Sequence, residues 1–88
     1  MDKFFIEVTR FIADIHWVNG KPTPSKKKIE AKYTLEQIIY EGKDRNELKN
    51  EFITSAANKV RANNVMEENK VKQKHLSKMQ VWVITNIE

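Results

Sequence analysis

The chain has 88 residues, 40% of them apolar and 32% charged, with 16 basic and 12 acidic side chains giving a formal charge of +4. This length fits one small domain, 1–88, or one subunit of a homo-oligomer. Two glycines and two prolines exclude a collagen-like or low-complexity chain, and Trp17, Trp82 and four phenylalanines argue against full disorder. Without Cys there are no disulfides, thiolate nucleophiles or cysteine-based zinc sites, so stability must come from a core or from a partner.

No apolar run approaches the roughly 20 residues of a membrane helix. Met1-Asp2-Lys3 followed only by Phe4-Phe5-Ile6 before Glu7 does not read as a secretory signal. The expectation is a cytoplasmic protein, in the host cytoplasm if viral, with no membrane partner.

Residues 4–18 read as one long strand, rich in Phe, Ile, Val, Thr and Trp and free of Gly and Pro. Its apolar residues change parity: Ile6 and Val8 are even, whereas Phe11, Ala13, Ile15 and Trp17 are odd. Strict alternation cannot bury both sets on one face. A bulge near Thr9 or Arg10 would reunite them.

Asn19-Gly20 marks a turn. Pro22 and Pro24 argue against a tight two-residue hairpin, so 19–28 is expected to be a flexible, basic hairpin loop. A second strand follows over about 29–40, where Ile29, Ala31, Tyr33 and Leu35 alternate before the parity switches to Ile38 and Tyr40. Pairing Trp17 with Ile29 would align the two switches. A long bent ribbon explains that best. The alternative is that both faces are partly covered, with Ile12 and Ile39 meeting a second molecule.

Gly42 ends the second strand, and Asp44 with Glu47 gives a capping-box pattern. Leu48, Phe52, Ala56 and Val60, flanked by Ile53 and Ala57, predict an amphipathic helix from about Arg45 to Ala62. Asn63-Asn64 suits its end, and Glu67-Glu68-Asn69 reads as a turn. Residues 79–87 form the last strand; 71–78 is either its polar continuation or a loop. The fold class is therefore α+β. The order is β-β-α-β, with a long bent N-terminal hairpin, an antiparallel sheet in order 2-1-3 and one amphipathic helix on one face. Phe4, Ile12, Trp82 and Ile84 are assigned to the other face. Ile12, Trp82 and Ile84 are thus the candidate protein interface, and a dimer would cover them.

Catalytic and cofactor motifs are missing. There is no phosphate-binding glycine loop and no His-x-x-x-His. Asp14 and His16 point the same way on a strand, which reads as a polar patch rather than a metal site. The chain is expected to be no enzyme and to need no cofactor or metal. Two basic segments stand out: Lys21, Lys26, Lys27, Lys28 and Lys32, then Lys70, Lys72, Lys74 and Lys78. On a strand, the second set would form a stripe with phosphate-like spacing, which suggests DNA or RNA contacts. The preferred reading is a small interaction protein that binds and modulates a protein partner or assembly. Its style is that of accessory proteins of bacteria or their viruses. A nucleic-acid-binding protein is the alternative.

Overall fold

The computed structural model describes residues 2–88. Sixteen residues without Gly or Pro form the first strand, β1 (Lys3–Val18). It pairs antiparallel with β2 (Lys21–Ile38), and Val18 faces Lys21 across a two-residue turn. Asn19 and Gly20 both have positive φ, 52° and 75°, as a type I′ turn demands. The segment 19–28 is therefore not a loop. The prolines do not prevent pairing because they lie two residues apart, opposite Trp17 and Ile15. The Ile15 N–H bonds to Ser77 on the other side, so at this level β1 turns its polar groups away from β2. Pro22 and Pro24 then need no ladder donor, as edge-strand prolines require.

β2 has 18 residues against the 16 of β1, and two bulges absorb the difference. One leaves Glu30 as the extra residue opposite Arg10 and Phe11; the other falls at Lys26 and Lys27, where Lys26 adopts φ 50°. The turn sets the register, so Phe11, rather than Trp17, faces Ile29.

Gly42 adopts φ 81° in the turn leading to the helix α1 (Arg45–Lys74). The Asp44 carboxylate accepts from the Asn46 and Glu47 N–H groups at 2.9 and 3.2 Å. That is the expected N-cap. The helix does not stop near Ala62 but runs 30 residues, about 45 Å at a rise of ~1.5 Å per residue. His75 closes it in the left-handed conformation, and the Leu76 N–H reaches back to Val71 O. Residues 71–74 are thus helical, neither strand nor loop. The strand β3 (Lys78–Ile87) pairs antiparallel with β1 on the side away from β2, giving the order β2-β1-β3. Thr85 is its one bulged residue.

The molecule extends 50 × 20 × 16 Å, and its radius of gyration of 16.0 Å exceeds the roughly 12 Å of a compact chain this long. Two small cores replace one large one. Near the chain ends, Ile6, Val8 and Ala56 are buried together, with Leu35, Phe52, Val60, Trp82 and Ile84 against them. Toward the hairpin tip, Ala13, Val71 and Met79 form the second core with Ile15, Leu76 and Val81.

These cores lie on opposite faces of the sheet. β1 and β3 pair without a break from Val8–Ile84 to Asp14–Lys78. Strict alternation there puts Val8 and Ala13, five residues apart, on opposite faces. Yet Val8 packs near Ala56 and Ala13 packs with Val71 of the same helix. The helix therefore starts on the even face of β1, passes the free edge of β3 and finishes on the odd face. This accounts for the parity switch in β1 without an inserted residue in that strand: each face is covered along half its length.

The crossing point is polar. Asn64 donates to Trp82 O at 2.9 Å and accepts from Trp82 N–H at 2.8 Å. Glu67, only 7% exposed, accepts from Gln80 N–H at 2.7 Å and pairs with Lys70 at 3.1 Å. These side chains supply the partners that an edge strand otherwise lacks. Replacing Asn64 with Leu leaves both Trp82 backbone groups unpaired and should lower urea-unfolding stability by about 1–3 kcal/mol. Asn69→Ala, at an exposed position on the same helix, should stay within roughly 0.5 kcal/mol.

Candidate functional site

The helix leaves two half-faces of the sheet uncovered. The first is the even face toward the hairpin tip, where Arg10, Ile12, Asp14 and His16 of β1 share a face with Lys78 and Gln80 of β3. Lys78 Nζ lies 2.9 Å from Asp14 Oδ1. That hydrogen bond, the Lys78 charge, and weaker fields from Lys26 and Lys28 hold the Asp14 carboxyl below its ordinary value of 3.8, with desolvation opposing them. Gln80 Nε2 donates to Glu30 Oε1 at 3.3 Å. Arg10 Nε lies 2.8 Å from that same oxygen, but the N–H is poorly directed, so the contact is an ion pair and the buried Nε makes no hydrogen bond. The Arg10 guanidinium instead donates to the Tyr33 hydroxyl and sits over its ring, 5.6 Å from the centroid.

The second uncovered half is the odd face near the chain ends. It is charged but internally matched. Lys3 pairs with Glu36 at 3.2 Å and Lys32 approaches Glu7 at 3.8 Å. Thr9, 1% exposed, shares a 2.8 Å hydroxyl contact with Thr85, whose hydroxyl also donates to Glu7 at 2.6 Å.

Between the first half of α1 and β2 runs a groove. One hollow of about 310 Å³ is lined by Val8, Tyr33, Leu35, Ala56, Val60 and Trp82, among others. It adjoins a second of about 370 Å³ that shares Leu35, Ala56 and Lys59 and adds Phe52 and Glu36. The groove exists because the helix is tied to β3, the opposite edge of the sheet, by Asn64 and Glu67.

The sequence candidates divide accordingly. Ile12 lies on an uncovered half-face. Trp82 and Ile84 do not: both pack toward the helix in the first core, as do Ile6 and Val8, and Phe4 shares their parity on β1 and is buried. Alternation alone could not assign them, because the covered face changes along β3.

The lysines also separate. Lys70, Lys72 and Lys74 lie on the helix, so the strand-spaced stripe does not form. Lys70 pairs with Glu67 and Lys72 with Glu68 at 3.2 Å. Lys78 opens β3 and joins Lys26 and Lys28 around Asp14. Lys27 lies over the Phe11 ring at 6.0 Å, and Lys21 starts β2.

Sequence reasoning passed over Asn64 and Glu67, whose signal was a polar interruption of an otherwise apolar helical stripe. It also passed over Ile29, 61% exposed on β2, as a surface residue. Among the described residues, no group of three or more His, Cys, Asp and Glu is placed to hold a metal ion. No described helix is long and apolar enough to cross a membrane. Comparison with protein families, curated proteins and solved structures returned no match.

Because its folded pKa is depressed, the Asp14 contribution to stability is present above the unfolded value and is lost as pH falls through the folded one. An NMR titration should place the Asp14 midpoint below 3.8, and Lys78→Ala should move it back toward that value.

Proposed function

We propose that this chain is a protein-interaction module, without enzymatic activity of its own, that binds and modulates a protein partner or assembly. The observation that carries this reading is the half-covered sheet. One helix covers alternate halves of two faces, leaving Ile12 partly exposed and Tyr33 more exposed on the same even face, with Tyr33 at the wall of an open groove. An apolar surface rimmed by Lys28, Lys78 and Glu30 has the anatomy of a binding patch, with a small apolar centre and a charged margin.

A second reading is phosphate contact with DNA or RNA. It draws on Lys26, Lys28 and Lys78 gathering around Asp14. It is weakened because four of the nine candidate lysines already face carboxylates. Such surface pairs are weak and exchangeable, so they reduce rather than abolish attraction for a polyanion.

Anisotropy titrations with duplex DNA, single-stranded DNA and RNA separate the two. The interaction reading expects no binding at micromolar protein in about 50 mM salt. It also expects a photo-crosslinking side chain at Ile12 to give a discrete protein adduct in cells, with none from Asn58 on the outer helix surface. Salt-sensitive nucleic-acid binding that disappears when Lys26, Lys27 and Lys28 become Ala, without such an adduct, would overturn it in favour of the second reading.

A further inference from the structure

The open edge of β2 changes character along its length. From Pro22 to Glu30 it carries two prolines, three consecutive lysines and two bulges. Each of these blocks the addition of another strand. From Ala31 to Ile38 it carries none of them and pairs regularly with β1.

The backbone phase of this regular half follows from its neighbours. Phe5 exchanges both backbone bonds with Glu88 at 2.8 Å, so Phe5 directs its polar groups toward β3. By alternation, Phe4, Ile6 and Val8 bond toward β2, where they face Gln37, Leu35 and Tyr33. The intervening residues of β2, Lys32, Thr34 and Glu36, therefore point their N–H and C=O groups outward.

We infer that this edge pairs with the same edge of a second copy, antiparallel about a two-fold axis at Thr34. That register is self-complementary at three levels. Thr34 meets Thr34 of the second copy, and Lys32 meets Glu36 on each side; all are hydrogen-bonded pairs, because all three residues present outward backbone groups. Lys32 and Glu36 are both half-exposed, and their pairing places two opposite-charge contacts across the axis. On the other face, Tyr33 meets Leu35, extending the apolar floor of the groove into the second copy. Shifting the register by two residues brings Lys32 opposite Thr34 or Ile38 and loses the charge match. The first half of the helix reaches Leu35 from the even face of the sheet, above the plane into which Lys32, Thr34 and Glu36 direct their outward backbone groups. The product is a closed dimer with a continuous six-stranded sheet, an isologous assembly. This inference rests on the interaction reading and names one of its partners, a second copy of the chain.

Sedimentation equilibrium on the full chain and its charge variants tests the pairing. The unaltered protein should reach about twice the monomer mass. Lys32→Glu and Glu36→Lys should each weaken the dimer about tenfold, because each creates two like-charge pairs. The double variant should restore affinity to within about threefold. Thr34→Pro removes an outward donor, as Pro22 and Pro24 do elsewhere on this edge. It should be monomeric with an unchanged circular dichroism spectrum. A protein that remains monomeric at millimolar concentration overturns the inference, as does a dimer indifferent to the single reversals or not recovered by the double one. A monomer that still gives the Ile12 adduct overturns the edge pairing while leaving the interaction reading intact.

Discussion

The two hydrogen bonds between the Asn64 amide and the backbone of Trp82 fix how the helix meets the sheet. The 30-residue helix does not stay on one face of the three-stranded sheet, whose strands twist relative to one another. It leaves that face at the free edge of β3. At that point it meets exposed backbone, which only a polar side chain can satisfy. Asn64 offers a donor and an acceptor in one planar group, and Glu67 supplies a second acceptor one turn later. The two cores on either side owe their relative placement to this crossing, as do the groove beside β2 and the two open half-faces.

This geometry also determines which parts of the fold were legible in the sequence. β1 and β3 were readable because β-branched and aromatic residues are dense in them and neither Gly nor Pro interrupts them, and Asp44 announced the helix start. The parity change in β1 was visible as well, but its cause was not. Period-two reasoning assumes that the covered face stays the same along a strand, so a switch between Val8 and Ala13 implied an inserted residue. Here the strand is regular, and the helix changes sides. The alternative, partial coverage of both faces, matches the sheet, but the covering element is the helix, and it leaves Ile12 open.

The same assumption truncated the helix. Asn63-Asn64 and Glu67-Glu68-Asn69 look like helix ends because polar residues interrupt the apolar stripe. Two of them are polar because what they cover is backbone. Pro22 and Pro24 misled in a related way: proline breaks a ladder only when its nitrogen faces a partner strand, and at these spacings both face outward. The candidate surface inherited these errors. Ile12 was placed correctly, whereas Trp82 and Ile84 were assigned to the open side because the covered face had been extended unchanged along β3. The lysines of 70–74 acquired strand spacing from a segment that is helical.

A protein with two cores joined through a polar waist does not resist opening uniformly. The region around Ile6, Val8 and Ala56 gathers more partly buried side chains than the one around Ala13, Val71 and Met79. Each lies on its own face, and strand β1 threads both. The hairpin tip, with the last turns of the helix, is thus the part that can loosen while the region around the chain ends remains closed. Amide protons there would exchange through a partial opening rather than through global unfolding. The Asn64–Trp82 bonds mark the boundary between these two units.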